Sequence, residues 1–197
     1  MYLIENLKKA VKQVIGTGPS PAAAQVAVRR RKPQTALFKD DGTVPNNPTL
    51  PLVHYRNAVR LTNSEDPAAI FERLFESNGW KGTWRDGIYD YMHYHSNTHE
   101  VLGIARGEAR VRFGGDKGKV IAVNAGDVVV LPAGTGHQRI SASRVLVVGG
   151  YPTPKKYDEC KGTTAERQKA LKTIPKVSLP AKDPIYGEGG PLTELWK

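Results

Sequence analysis

Four of the chain's five histidines, His93, His95, His99 and His137, fall in one stretch, and their spacing is what could do chemistry. Gly87, His93, His95, Glu100 and Gly107 form the string G-x5-H-x-H-x4-E-x6-G, and Gly126, Pro132, Gly134 and His137 form G-x5-P-x-G-x2-H. From average residue usage, both strings arise together by chance in a chain of this length about once in a million or less. Side chains two apart on a strand face the same side, so His93 and His95 would present two imidazoles to one point. Ser96, Asn97 and Thr98 make a turn, Glu100 starts the neighbouring strand, and His137 has to arrive from a strand folded across later. Three imidazoles and a carboxylate can hold a divalent transition metal through nitrogen and oxygen donors at about 2.0–2.2 Å. An ion with more positions than these ligands fill stays open to water, substrate or dioxygen.

The elements that must position these residues are short strands. From Trp80 to Tyr151, strand-like runs are separated by Asp86-Gly87, Arg106-Gly107, Gly114-Gly115, Lys117-Gly118, Ala125-Gly126 and Ala133-Gly134, a rhythm that predicts an all-β sandwich or barrel. Leu52 to Leu61 reads as a further extended segment. Asp66-Pro67 opens a helix near 67–78, with Ile70, Phe71, Leu74 and Phe75 as its buried stripe and Gly79 as its stop. Thr163 and Glu166 are spaced for a reciprocal cap on a C-terminal helix, which runs into a Pro- and Gly-rich tail. Ile4, Leu7, Val11, Val14 and Ile15 predict an amphipathic N-terminal helix, and residues 22–32 a second one ending in basic side chains. These signals divide the chain into a basic helical arm over 1–32, a barrel over 33–151, and a helix and tail packing on it over 152–197.

The two motif strings resemble the paired motifs of the cupin superfamily. The wider sequence, with Lys39-Asp40-Asp41-Gly42, Pro45-Asn46-Asn47-Pro48 and His93-Tyr94-His95, is similar to the YjlB-like bacterial cupins over about residues 33–197. The resemblance implies a mainly β fold, the cupin double-stranded β-helix or jelly-roll barrel with a few peripheral helices. It also implies His93, His95, Glu100 and His137 as ligands of a divalent transition metal such as Fe, Mn, Ni or Zn, and a homodimer. The family's ligand set serves dioxygenases, decarboxylases and isomerases, so the expected function is a metal-dependent enzyme acting on a small organic molecule. The alternative is a non-catalytic cupin that binds a small ligand or only braces a scaffold. Ser141 stands where the second motif usually carries Asn, a departure at a position that is not a ligand. Glu100 is the ligand best able to leave the metal and accept a proton, which makes it the candidate catalytic base.

Around this core the residue readings are plainer. Tyr89 and Tyr91 share the inward parity of His93 and would line either a pocket or the barrel core. Arg139 shares parity with His137 and would either neutralise an acidic substrate or sit in solvent. His99 points away from Glu100 and reads as a surface or supporting residue. His54, isolated in sequence, reads as structural or at the pocket edge.

Composition narrows the classes further. The formal net charge of +10 is concentrated at the ends: residues 33–151 hold 13 basic and 12 acidic side chains, so the body is nearly neutral and is not built to hold a phosphate backbone. No apolar run approaches the roughly 18 residues of a spanning helix. The lone Cys160 excludes an internal disulfide and fits a reducing, cytoplasmic location. Gly114-Gly115-Asp116-Lys117-Gly118-Lys119 lacks the first glycine of a phosphate loop and reads as a hairpin turn.

Overall fold

The computed structural model describes residues 18–61, 65–152 and 156–197; the helix predicted over residues 4–15 lies outside them. The strands are β1 (Gln34–Ala36), β2 (Leu52–Tyr55), β3 (Lys81–Asp86), β4 (Glu100–Phe113), β5 (Lys119–Asn124), β6 (Val128–Leu131) and β7 (His137–Tyr151). They pair antiparallel in the order β1-β2-β6-β4-β7-β3, with β5 on β4. The helices are α1 (Pro21–Val26), α2 (Pro67–Ser77), α3 (Thr164–Thr173) and α4 (Pro191–Leu195). This is the β jelly-roll expected from the two motif strings.

Two long strands make the barrel. β4 pairs with β6 over Glu100–Gly103 and with β5 over Glu108–Phe113, while β7 follows its other edge throughout. Between those halves the register slips around Arg106, and Gly107 takes φ +65° opposite Arg144 at +47°. A Cβ on Gly107 would fall 2.2 Å from the Ser143 carbonyl oxygen, so glycine is what lets the two bent strands close on each other.

Side-chain alternation then sorts the two faces. Leu102, Ile104, Ala109, Val111, Phe113, Val129, Leu131 and Val147 fill the barrel. Val53, Tyr55, Val101, Val128, Val130 and Val148 point outward, where Phe71, Leu74 and Phe75 of α2 and the C-terminal Ile185, Leu192 and Trp196 cover them. Because both faces are buried, β6 is the unbroken apolar run Val-Val-Val-Leu rather than an alternating one. Gly103 lies under Phe71, whose ring would stand 2.4 Å from a Cβ there.

The predicted helix signals at 66–79 and 163–166 hold. Asp66 caps α2, and Thr163 with Glu166 forms the reciprocal cap of α3. Two elements are shorter than the sequence predicts. The extended run at Leu52–Leu61 ends as strand at Tyr55, because the Asp127 carboxylate accepts the Asn57 amide at 2.7 Å and holds a turn with Asn57 at φ +48°. The helix over 22–32 stops at Val26, because Val28 forms a bridge with Val59. Its basic run is tied to the barrel and to the C-terminal segment: Arg31 Nε donates to the Asn57 carbonyl at 3.1 Å, and Tyr186 Oη donates to the Arg29 carbonyl at 2.8 Å.

Candidate metal centre

The segment carrying His93 and His95 is not the continuous strand that their spacing predicts. It touches its neighbours through isolated bridges, His93 with His137 and Tyr94 with Cys160. His93 and His137 exchange backbone hydrogen bonds of 3.2 and 2.9 Å, which brings the two distant motifs side by side. The loop delivering His137 is held from below: Asn47 Nδ2 donates to the Ala133 carbonyl at 3.1 Å, and Asn46 Oδ1 accepts the Gly136 amide at 3.3 Å. Glu100 opens β4 on the same inward parity as Leu102 and Ile104.

One nitrogen from each of His93, His95 and His137 lies within 4.8 Å of the other two, and all three residues are buried. Glu100 Oε2 stands 3.3 Å from His137 Nε2 and 3.6 Å from His95 Nε2. It has no hydrogen-bond partner, a buried carboxylate oxygen aimed at the cluster. Each imidazole turns its other nitrogen to a main-chain carbonyl: His93 Nδ1 to Tyr91 at 3.3 Å, His137 Nδ1 to Thr135 at 3.2 Å, and His95 Nδ1 to Asp158. Those carbonyls can only accept, so Nδ1 carries the proton and Nε2 is the nitrogen left to face the centre. Carbonyl-oriented imidazoles are what metal-holding histidines require. The orphaned Oε2, the three oriented imidazoles and their mixed nitrogen and oxygen chemistry fit a divalent transition metal.

Electrostatics favour the same occupant. Burial, then the His93 imidazole, presses His137 down to about 3, and burial lowers His93. Both are neutral near pH 7, with lone pairs free. Burial pushes the Glu100 carboxyl up, but the His95, His137 and His93 imidazoles outweigh it and hold the group down to about 2, ionised. Burial likewise pushes His95 down, but the Glu100 charge and the Asp158 carbonyl lift it to about 9. The proton on His95 therefore occupies the charge position that a cation would take, and a bound metal would have to displace it.

A cavity of about 180 Å³ opens above the cluster, bordered by Trp84, Ile88, Tyr89, Leu102, Tyr151 and Tyr157 among others. Tyr89 borders it and stacks on Tyr91 with ring centroids 4.8 Å apart. Tyr91 is turned aside, its hydroxyl donating to Glu159 at 3.0 Å. Arg139 is not among the bordering residues; its guanidinium lies 3.6 Å from Asp90. His99 is fully buried rather than at the surface: just before β4 it meets the Trp196 ring at a centroid distance of 4.7 Å, and its Nδ1 accepts the Ala133 amide at 2.9 Å. His54 is structural, its Nε2 3.0 Å from Asp127 inside the barrel wall.

Three contributors were missed by sequence reasoning. Tyr151 shares the inward parity of Val147 and Gly149, a signal that the strand pattern does contain. Tyr157 and Asp158 follow the last strand, and no spacing rule connects them to the histidines. The Asp158 carboxylate accepts from the Ser96 amide at 2.7 Å and the Ser96 hydroxyl at 2.5 Å, clamping the turn that follows His95.

Comparison with known proteins agrees with this architecture. Residues 84–149 match the cupin domain family. The protein described as "Uncharacterized protein YjlB" of Bacillus subtilis (strain 168) is 46% identical over 167 residues, covering 84% of this chain and 98% of its own. Acireductone dioxygenase from Bacillus anthracis, solved with a cadmium ion in its active centre, is 13% identical with a TM-score of 0.37, over 52% of this chain and 79% of that one. An 11S globulin from Wrightia tinctoria is 15% identical with a TM-score of 0.32 over 40% of this chain, which spans only 22% of the globulin. Structural likeness this low carries no argument about chemistry. The identity sustained along almost the full length of the Bacillus subtilis relative does show the family, and this chain belongs to the YjlB-like cupins.

Proposed function

We propose that this protein is a metal-dependent enzyme acting on a small organic molecule within the barrel mouth, with His93, His95, His137 and Glu100 as the metal ligands. The observation that carries the reading is the buried Glu100 Oε2, which makes no hydrogen bond yet stands 3.3 and 3.6 Å from two of three imidazoles whose Nδ1 atoms are all committed to carbonyls. A divalent ion bound there would supply Lewis acidity and a template for substrate oxygens. The chain's own residues would do the rest. Trp84, Tyr89, Tyr151 and Tyr157 enclose the substrate and limit its size to the cavity. Leu102 and Ile88 keep the inner wall apolar. Glu100 is the group placed to take a proton at Oε2, because its carboxylate borders the cavity.

Dioxygenation, decarboxylation and isomerisation all remain within this reading, because the ligand set does not select among them. The test is metal content by elemental analysis, followed by turnover of small acids, keto acids, sugars and phenols with iron or manganese, and oxygen consumption. Turnover that disappears in His95→Ala supports the enzyme. Stoichiometric metal with no turnover across the panel would instead make this a binding or structural cupin. A homodimer in the cytoplasm belongs to the same proposal; light scattering of the full chain should then give twice its 21.6 kDa mass.

A further inference from the structure

We infer that Tyr151 is a positioning residue that makes Oε2 the metal-facing oxygen of Glu100, and that Trp84 sets the direction of its hydroxyl; the inference rests on the metal-centre reading above. Tyr151 Oη donates to Glu100 Oε1 at 3.1 Å, and the carboxylate is buried. Trp84 Nε1 stands 3.0 Å from the same hydroxyl. An indole N–H can only donate, so it fills an acceptor site on Tyr151 Oη and leaves the tyrosine proton for the carboxylate. The chain of donors thus runs one way, from Trp84 through Tyr151 to Glu100.

Strand pairing builds this device. Trp84 of β3 lies opposite Gly149 of β7, and a Cβ at Gly149 would fall 2.1 Å from the indole. Glycine at that position lets the indole lie across β7 and reach Tyr151, two residues further along the same face. Stacking of Tyr151 on Tyr157, centroids 4.6 Å apart, holds the phenol plane from the cavity side. The two oxygens of Glu100 are therefore unequal: Oε1 is engaged by a buried hydroxyl, and Oε2 has no hydrogen-bond partner. Such an arrangement favours a carboxylate that binds through one oxygen and can leave through the same one.

The test uses the full chain, stripped of metal and titrated with cobalt(II), reading affinity and the visible d–d bands, with circular dichroism to confirm folding. Tyr151→Phe is expected to weaken cobalt binding by about tenfold or more. It should also shift the bands, because Oε1 is freed to turn toward the ion. Trp84→Phe keeps the hydroxyl and should shift the bands in the same direction by less. Bands and affinity unchanged from wild type, in whichever of the two variants folds, overturn the inference while the metal site stands. Wild-type protein that takes up no cobalt, or takes it up equally in His95→Ala, overturns the metal-centre reading first and this inference with it.

Discussion

The imidazole of His95 and the main-chain carbonyl of Asp158 are joined by a hydrogen bond across 63 residues of sequence. The segment after the last barrel strand is thereby part of the centre. It orients the imidazole of one histidine and, through the Asp158 carboxylate, the turn at Ser96 and Asn97.

Replacing Asp158 with alanine removes the side-chain clamp but keeps the carbonyl. Loss of its hydrogen bonds to the Ser96 amide and hydroxyl should cost about 1–3 kcal/mol of stability. The turn after His95 would loosen, and metal affinity should fall by about tenfold. Urea unfolding and cobalt titration of the same protein separate the two effects.

His95→Ala removes a proposed ligand and the largest electrostatic partner of Glu100. Its metal affinity should fall further than the roughly 10–100-fold typical of losing an outer hydrogen bond. Elemental analysis after dialysis should find under a tenth of the wild-type metal content, on the order set by that loss. Undiminished stoichiometry would overturn the metal-centre reading.

Asp127 should govern part of the acid stability. Burial raises its carboxyl pKa, but hydrogen bonds from His54, Asn57 and Asn124 outweigh that and lower it. A carboxylate with a depressed folded value stabilises fully above its unfolded pKa, about 3.9, and loses that contribution as pH falls through the folded value. The wild-type urea midpoint should therefore drop below about pH 4. Asp127→Asn should be less stable at neutral pH, and its acid decline should be shallower. An equally steep acid limb in the variant would assign the sensitivity to another group.

Gly103→Ala tests the outer core without touching the centre. The added Cβ would lie 2.4 Å from the Phe71 ring, so α2 must shift or the ring must leave its rotamer. Overpacking of this kind costs about 1–3 kcal/mol. Urea unfolding should record that loss, and one metal per chain should be retained.

The spacing of residues carried much of this protein. Histidines two apart, a carboxylate five beyond, and a histidine after Pro-x-Gly were enough to bring the cupin family, the jelly-roll and the candidate ligands into view. Arg106-Gly107, which the sequence marks as a break between two strands, is instead a bulge inside the continuous β4, where glycine serves because few other residues adopt its left-handed backbone. Asp66 and Thr163 marked helix starts for an equally local reason, since a cap is a contact between residues three apart. What lay beyond reach were contacts between segments distant along the chain. The isolated bridges that replace a strand at His93, the burial of His99 under Trp196, and the tilt of Arg139 toward Asp90 depend on which surfaces meet after closure. Asp158 and Tyr157 reach the centre only because the C-terminal segment folds back over the barrel mouth. Local pattern records which face a side chain takes on its own strand; the partner that completes its hydrogen bonds is chosen when the barrel closes and the tail docks on it.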